Sequence, residues 1–320
     1  MAERKVVVAA HGHCFDGLAS AAMFTHLRRR SGGGSLRFRY LSCGYGPNLQ
    51  TIPEAWLRGD ENAIVDFRFT PSKRVTWFFD HHVTAFASEA ERVRAIAGSE
   101  RYFHDGAYGS CTKLIADVGE ARFGVSFDQH RELVRWADLI DTAGFESAAQ
   151  AIDRAEPVMQ LAAVIEQHGD RELYDALAPL LLEKELVDVA TSDKVQELWR
   201  PIATAASETQ RRIGQALVVR GDVSYVELVE APLRASGKFV AYALAPDAMY
   251  SVALLRMKQH FKISVGYNPW CRRERRHDIA DICRRHGGGG HPVVGAASVP
   301  LDRLDEARRI AMEVVEELAT

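Results

Sequence analysis

The sequence predicts an α/β protein of two domains, a parallel-sheet domain followed by a smaller α/β domain. Short apolar runs alternate with helix-like runs through the first part of the chain, and three of them break into acids or imidazoles at their carboxyl ends. In open parallel sheets that end is where ligands bind. Near residue 217 the pattern changes from consecutive helices back to strands alternating with helices. At 320 residues the chain also exceeds the usual span of one core.

Lys5 to Ala10 is a continuous apolar strand, followed by the polar loop His11-Gly12-His13-Cys14-Phe15-Asp16-Gly17 and a helix from Leu18 to about Arg30. A glycine-serine turn leads to Leu36, Phe38 and Tyr40, which alternate with Arg37 and Arg39 as in a half-buried or edge strand. Asn62 to Phe67 is a further apolar strand, with Asp66 at its end. Val75 to Phe79, rich in β-branched and aromatic residues, reads as a central strand that delivers Asp80, His81 and His82. Helical patterns cover Gly109 to Arg122 and Asp128 to Ile140. From Glu156 to about Ala216 helices follow one another, broken at Gly169-Asp170 and kinked or restarted at Pro201. Strands are expected at Leu217 to Val229, Met249 to Met257, Phe261 to Tyr267 and Val293 to Val299, with helices at Asp278 to Arg285 and Asp302 to Leu318. The resulting domains are residues 1–190 and 217–320, joined by a helical linker at 191–216.

Composition is that of an ordinary globular protein, 47% apolar and 26% charged. A net charge of -3 gives no general affinity for polyanions or anionic membranes, so any such ligand must meet a local patch. The five cysteines are odd in number and form no Cys-x-x-Cys pair, which predicts reduced thiols in a cytoplasmic protein. No signal-peptide pattern and no bilayer-length apolar stretch is visible, so no membrane partner is expected.

His11, Asp16, Asp66, His81 and Asp141 are ligand types that suit divalent ions such as Mn²⁺. A pair of such ions bridged by a carboxylate generates hydroxide and clamps a phosphoryl group, which is hydrolase chemistry. Singly, each aspartate is more often a cap and each histidine a satisfied core residue. Together they form a pattern. Asp80-His81-His82 resembles the motif that names the DHH phosphoesterase superfamily, and other motifs of that family have counterparts in order: His11 to Gly17, Ile64-Val65-Asp66, and Asp141-Thr142-Ala143-Gly144-Phe145.

The resemblance implies that His11, the first-motif acid and Asp66 hold one ion, and that Asp16, Asp66, His81 and Asp141 hold a second, with Asp66 bridging. It implies that His82 faces the substrate phosphate, that Asp80 orients the imidazoles, and that the attacking group is a metal-bound hydroxide. Where the family has Asp-x-Asp, this chain has Cys14-Phe15-Asp16. A thiolate at Cys14 shifts preference from Mn²⁺, the ion otherwise expected, toward Zn²⁺ or Fe²⁺. His13 is an alternative ligand. The segment Gly106 to Thr112 precedes a helix and is expected to cap it, although its amides also suit an anion.

In the second domain, His286-Gly287-Gly288-Gly289-Gly290-His291 closes a helix and opens a strand, a composition suited to cradling phosphate. It resembles the glycine signature of the DHH-associated domain, which implies that Gly288, Gly289, Gly290 and His291 bind the substrate's phosphate or nucleotide. The arginine that many family members carry near Gly266 is missing, leaving Asn268, Arg272 and Arg273 as candidates to replace it. Arg272, Arg273, Arg275, Arg276, Arg284 and Arg285 form a dense basic cluster beside Tyr267 and Trp270, able to grip phosphates and stack on bases or else simply solvated.

The expected activity is metal-dependent hydrolysis of a phosphoester in a small nucleotide or short oligonucleotide, in the manner of a nanoRNase or nucleotide phosphatase, including 3′-5′ exonuclease action on short oligoribonucleotides. Cyclic dinucleotides or polyphosphate are rival substrates, and Cys14 makes a non-catalytic nucleotide-binding sensor the rival of another class. The resemblance also implies a homodimer, although no stretch specifies an interface.

Overall fold

A computed structural model describes residues 3–44 and 51–320 of the chain. Two compact units divide it. One comprises Met1–Gly144 and Arg154–Trp199, the other Phe145–Asp153 and Arg200–Thr320.

The first unit is built on five parallel strands, β1 (Arg4–His11), β2 (Leu36–Cys43), β3 (Glu61–Val65), β4 (Trp77–Asp80) and β5 (Tyr102–His104), in the order β2-β1-β3-β4-β5. β3 and β4 are buried throughout, as apolar strands covered on both faces must be. β2 lies at an edge, as its alternation predicts. β4 is interior but not central: β3 holds the middle, and β4 borders the three-residue β5, too short to stand out in the sequence. Parallel register brings all the polar strand ends to one side, pairing Ala10 with Val65, Val65 with Phe79 and Asp80 with His104.

Helices α1 (Phe15–Ser31), α2 (Glu89–Ala97), α3 (Cys111–Phe123) and α4 (Arg131–Asp141) follow these strands. α1 is buried from Phe15 to Arg28 and packs against β1, α3 and α4. A helix hydrophobic all round is expected there. Its inward polar groups are partnered: Thr25 Oγ1 lies 3.0 Å from the Tyr40 hydroxyl, and His26 Nε2 lies 3.0 Å from the Ser126 carbonyl oxygen.

The amino ends of the strands are tied by one buried ion pair. Arg28 donates from Nε and Nη2 to the two carboxylate oxygens of Glu61 at 2.7 and 2.8 Å, and Trp77 Nε1 donates to the same carboxylate at 3.1 Å. That fork joins α1 to the first residues of β3 and β4.

After α4 the chain gives α5 (Ala148–Ile152) to the second unit, and returns to the first with α6 (Pro157–His168), α7 (Arg171–Glu183) and α8 (Leu186–Ala190). α9 (Asp193–Ala216) then carries it across the division, so the expected 191–216 linker is one helix shared by both units. Pro201 lies inside α9 and does not restart it, since a proline forfeits one backbone bond and 24 residues of helix absorb the loss.

In the second unit β6 (Leu217–Arg220) and β7 (Val223–Leu228) split the expected Leu217 to Val229 strand, because Gly221 at φ 57° turns the chain between them. Helix α10 (Val240–Leu244), β8 (Tyr250–Arg256), β9 (His260–Tyr267), α11 (Ile279–Arg285), β10 (Gly289–His291), β11 (Val294–Pro300) and α12 (Leu304–Leu318) complete it. The sheet runs β10-β11-β9-β8-β7-β6, antiparallel except for β7 with β8. α11 and α12 pack on it over a core that includes Tyr250, Phe261, Ile282 and Val315.

Glu61→Ala leaves Arg28 buried without its partner and is expected to cost about 3–5 kcal/mol of stability. Urea unfolding checks this, and a loss under about 1 kcal/mol would show that the fork does not brace the sheet.

Candidate metal centre

All eight candidate site residues of the first unit converge at the carboxyl ends of its strands. β1 ends at His11, and the loop that follows is pinned from three sides before α1 begins. Gly12 donates its amide to the Cys43 carbonyl at 2.6 Å, His13 donates to the Gly169 carbonyl at 3.1 Å, and the Tyr174 hydroxyl of α7 donates to the carbonyls of His11 and Cys14, the latter at 3.2 Å. Gly17 has no alternative here: a Cβ would lie 2.0 Å from the His11 carbonyl oxygen. His13, at φ 56°, places its Nδ1 3.1 Å from the Glu166 carbonyl oxygen, outside the groups of potential metal donors.

Asp16, in the first turn of α1, binds the amino end of α3. Its oxygens accept from the amides of Cys111 at 2.7 Å and Thr112 at 2.9 Å, while Ser110 caps α3 by accepting from the Lys113 amide. The Gly106 to Thr112 segment thus both caps and binds an anion, and the anion is the chain's own carboxylate.

Asp66 follows β3 with φ at 53°, a left-handed conformation uncommon for a residue with a side chain. The carboxylate is 1% exposed and neither oxygen has a hydrogen-bond partner. Its neighbours are imidazole nitrogens, His11 Nδ1 at 3.6 Å and His81 Nε2 at 3.5 Å. His81 Nδ1 lies 3.1 Å from the Tyr108 carbonyl oxygen. A carbonyl only accepts, so Nδ1 carries a proton, and Nε2, the nitrogen left to meet an ion, faces inward. That nitrogen is also buried and unpartnered, 3.5 to 3.7 Å from oxygens of Asp66, Asp141 and Asp16.

Asp80 holds His82. Its Oδ1 accepts from the amides of His81 and His82 and lies 2.7 Å from His82 Nδ1, leaving a partly exposed imidazole beside the buried cluster. The family resemblance implies that Asp80 orients the imidazoles; its Oδ1 meets the His82 ring and the His81 amide, and the His81 ring meets the Tyr108 carbonyl. Asp141 ends α4, two residues before Ala143 at φ 50°.

Negative groups crowd this space. Burial raises the Asp16 carboxyl well above its usual range, with Asp66 and Asp141 adding to the effect, and burial with the same carboxylates raises the Cys14 thiol. Burial works against ionised Asp66, but His11 and His81 prevail and bring it to about 2. For His81 burial opposes the charge, and the carboxylates of Asp66 and Asp16 push it up to about 10.

These donors fit divalent ions. His11, Cys14 and Asp66 form one group and Asp16, His81 and Asp141 another, each with ligand atoms within 4.8 Å of one another; Asp66 also groups with Asp80, His81 and His82. Two ligand atoms, each about 2.1 Å from one ion, lie roughly 3.0–3.4 Å apart, close to the separations around His81 Nε2.

The second-unit candidates have other surroundings. Asn268 is buried and spent: Nδ2 donates to the carbonyls of Pro246 and Ala248, and Oδ1 accepts from the Trp270 amide. Arg273 and Arg276 both bond Asp222, Arg284 pairs with Asp281 and Arg285 with Glu317, so four arginines of the basic cluster are held by three carboxylates. Arg272 is exposed. Gly266 has no space for a side chain, since a Cβ would lie 2.3 Å from the Tyr242 hydroxyl. In the glycine run, Gly287 at φ 74° follows α11, and a Cβ on Gly288 or Gly290 would meet β11 backbone at 2.0 or 2.2 Å. Gly289 faces open space, and His291 is exposed at the end of β10.

Solved structures share this fold. The pGpG-specific phosphodiesterase PggH from Vibrio cholerae superposes with a TM-score of 0.71 at 15% identity, over 98% of this chain and 99% of that one. The DHH domain of a member of a ribosomal-protein family superposes at 0.51 and 13% identity, over 99% of this chain and 88% of its own. The chain has the DHH fold. RecJ from Thermus thermophilus, solved in complex with Mn²⁺, shares the fold at a TM-score of 0.58 and 10% identity, this chain spanning about half of it (52%). No protein-family model and no curated protein matches the sequence.

Sequence reasoning missed Tyr108 and Tyr174. Tyr108 acts through its backbone, and Tyr174 sits 160 residues from the Cys14 carbonyl it meets. With free Mn²⁺ at a hundred times its Kd, bound ions add about 2.7 kcal/mol, which raises the melting temperature by about 5–10 °C. Asp66→Ala is expected to abolish that rise in thermal melts with and without Mn²⁺; an equal rise in the variant would remove Asp66 from the centre.

Proposed function

We propose that this chain is a metal-dependent phosphoesterase that hydrolyses short linear oligonucleotides, with dinucleotides of the pGpG type foremost. The observation that carries the reading is the pair of buried groups without hydrogen-bond partners, the Asp66 carboxylate and His81 Nε2, inside two groups of side chains able to hold a metal. The fold shared with PggH over nearly the full length of both chains supports a dinucleotide-sized substrate. In this reading His11, Cys14 and Asp66 hold one divalent ion, Asp16, Asp66, His81 and Asp141 hold the other, and Mn²⁺ serves the oxygen-rich position.

Two such ions, when bound, supply Lewis acidity and an activated water at neutral pH. The remaining work falls to the chain. Asp80 fixes His82 through Nδ1 and sustains its charge, the carboxylate hydrogen bond raising the imidazole above its ordinary range. His82 Nε2 then donates to a phosphoryl oxygen or to the departing ester oxygen. In the second unit Gly288, Gly289, Gly290 and His291 are the proposed hold on a substrate phosphate. Gly289→Ala tests this cleanly, because its Cβ meets no protein atom.

Purified chain with Mn²⁺, Mg²⁺, Zn²⁺ or Fe²⁺ is expected to convert pGpG and short oligoribonucleotides to mononucleotides. His82→Ala should lower kcat about 10²–10⁴-fold while the metal-induced rise in melting temperature persists. Failure to cleave any of these substrates with any of these ions would overturn the reading, and turnover of cyclic dinucleotides or polyphosphate alone would redirect the substrate class.

A further inference from the structure

We infer that the two cation positions are chemically unlike: His11, Cys14 and Asp66 form a thiolate site for a thiophilic divalent ion such as Zn²⁺, Fe²⁺ or Co²⁺, Asp16, His81 and Asp141 form a site for a harder ion such as Mn²⁺ or Mg²⁺, and Tyr174 is a positioning residue for the first alone. This rests on the metal centre of the proposed function and specifies what each half of it takes. The first group offers one nitrogen, one sulfur and one oxygen donor within 4.8 Å, whereas the second offers one imidazole and two carboxylates. A soft sulfur ligand favours Zn²⁺ or Fe²⁺, and an oxygen-rich set favours Mn²⁺ or Mg²⁺.

Cys14 does not stand alone in this. The Asp66 carboxylate in the same group is 1% exposed with both oxygens lacking hydrogen-bond partners, so a buried anionic ligand accompanies the sulfur. Two buried thiols are placed differently from the half-buried Cys14: Cys111 donates to the Phe79 carbonyl at 3.3 Å and Cys43 to the Leu41 carbonyl at 3.7 Å. Among the described residues, Cys14 is the one cysteine grouped with potential metal donors.

Tyr174 supplies the asymmetry of support. It is fully buried on α7, and its hydroxyl donates to the carbonyls of His11 and Cys14. The backbone at two of the three donor residues of the thiolate site is thereby held by one hydroxyl. The second group is braced by other means, Asp16 by the amides of α3 and His81 by the Tyr108 carbonyl. Losing the Tyr174 hydroxyl therefore loosens one site and spares the other, and supporting bonds of this kind are worth about 10–100-fold in metal affinity.

Cobalt(II) titration of the full chain, stripped with chelator, tests the inference by absorbance rather than by turnover. The wild type is expected to develop a thiolate-to-cobalt charge-transfer band in the near ultraviolet. Cys14→Asp or Cys14→Ser should abolish the band, and Cys111→Ser should retain it. Tyr174→Phe should reach the same band only at about 10–100-fold higher cobalt, while Mn²⁺ affinity at the second site, followed by electron paramagnetic resonance, stays unchanged and reports that the fold is intact. Cobalt bound by the wild type without the band, or a band that survives Cys14→Asp, would overturn the thiolate site and leave the proposed phosphoesterase standing. Unchanged cobalt affinity in Tyr174→Phe would overturn the positioning role, and no cobalt bound at all would overturn both the inference and the metal centre beneath it.

Discussion

The carboxylate of Asp66 sets the terms for the first unit. A buried anion without hydrogen-bond donors is among the costlier things a protein interior can hold, and it persists where opposite charge or a metal compensates it. Asp66 combines that burial with a left-handed backbone, and strain of this sort survives only where the surroundings enforce it. Parallel register enforces it here: the Asp66 amide is anchored on the Phe79 carbonyl at 2.9 Å, the next strand delivers His81 and His82, and β1 delivers His11. The neighbouring side chains are positioned by groups other than the inward atoms, the Asp66 oxygens and His81 Nε2, which keep no hydrogen-bond partner.

This division of labour separates what the sequence revealed from what it hid. Asp66 and Asp80-His81-His82 stand out because an apolar run that ends in a charge is a sharp contrast along the chain. The groups that aim them leave no such trace. Tyr108 serves through a carbonyl any residue would supply, the amides of Cys111 and Thr112 hold Asp16 whatever their side chains, and Tyr174 looks like one more apolar position of α7. Short elements such as β5 and α10 are likewise invisible to periodicity, and the assignment of Phe145–Asp153 to the second unit depends on contacts distant in sequence, such as the bond from Trp270 Nε1 to the Phe145 carbonyl.

In the second unit, partners distant in sequence take up part of what composition suggested. An arginine cluster beside aromatic residues reads as a phosphate grip, yet Asp222, some fifty residues earlier in the chain, takes Arg273 and Arg276. Four glycines in a row read as a cradle, yet a helix end and a tight hairpin already require three of them. Residue types establish what chemistry a surface can perform; partners far off in sequence decide how much of it is left to perform.

Anomalous diffraction from crystals of the full chain grown with Mn²⁺ and Zn²⁺ addresses the central claim most directly, since it sees the ions themselves. Two peaks about 3.5–4 Å apart, one on each side of the Asp66 carboxylate, are the predicted result. Ions bound elsewhere in the chain, or no ion within reach of Asp66 at saturating metal, would contradict the account.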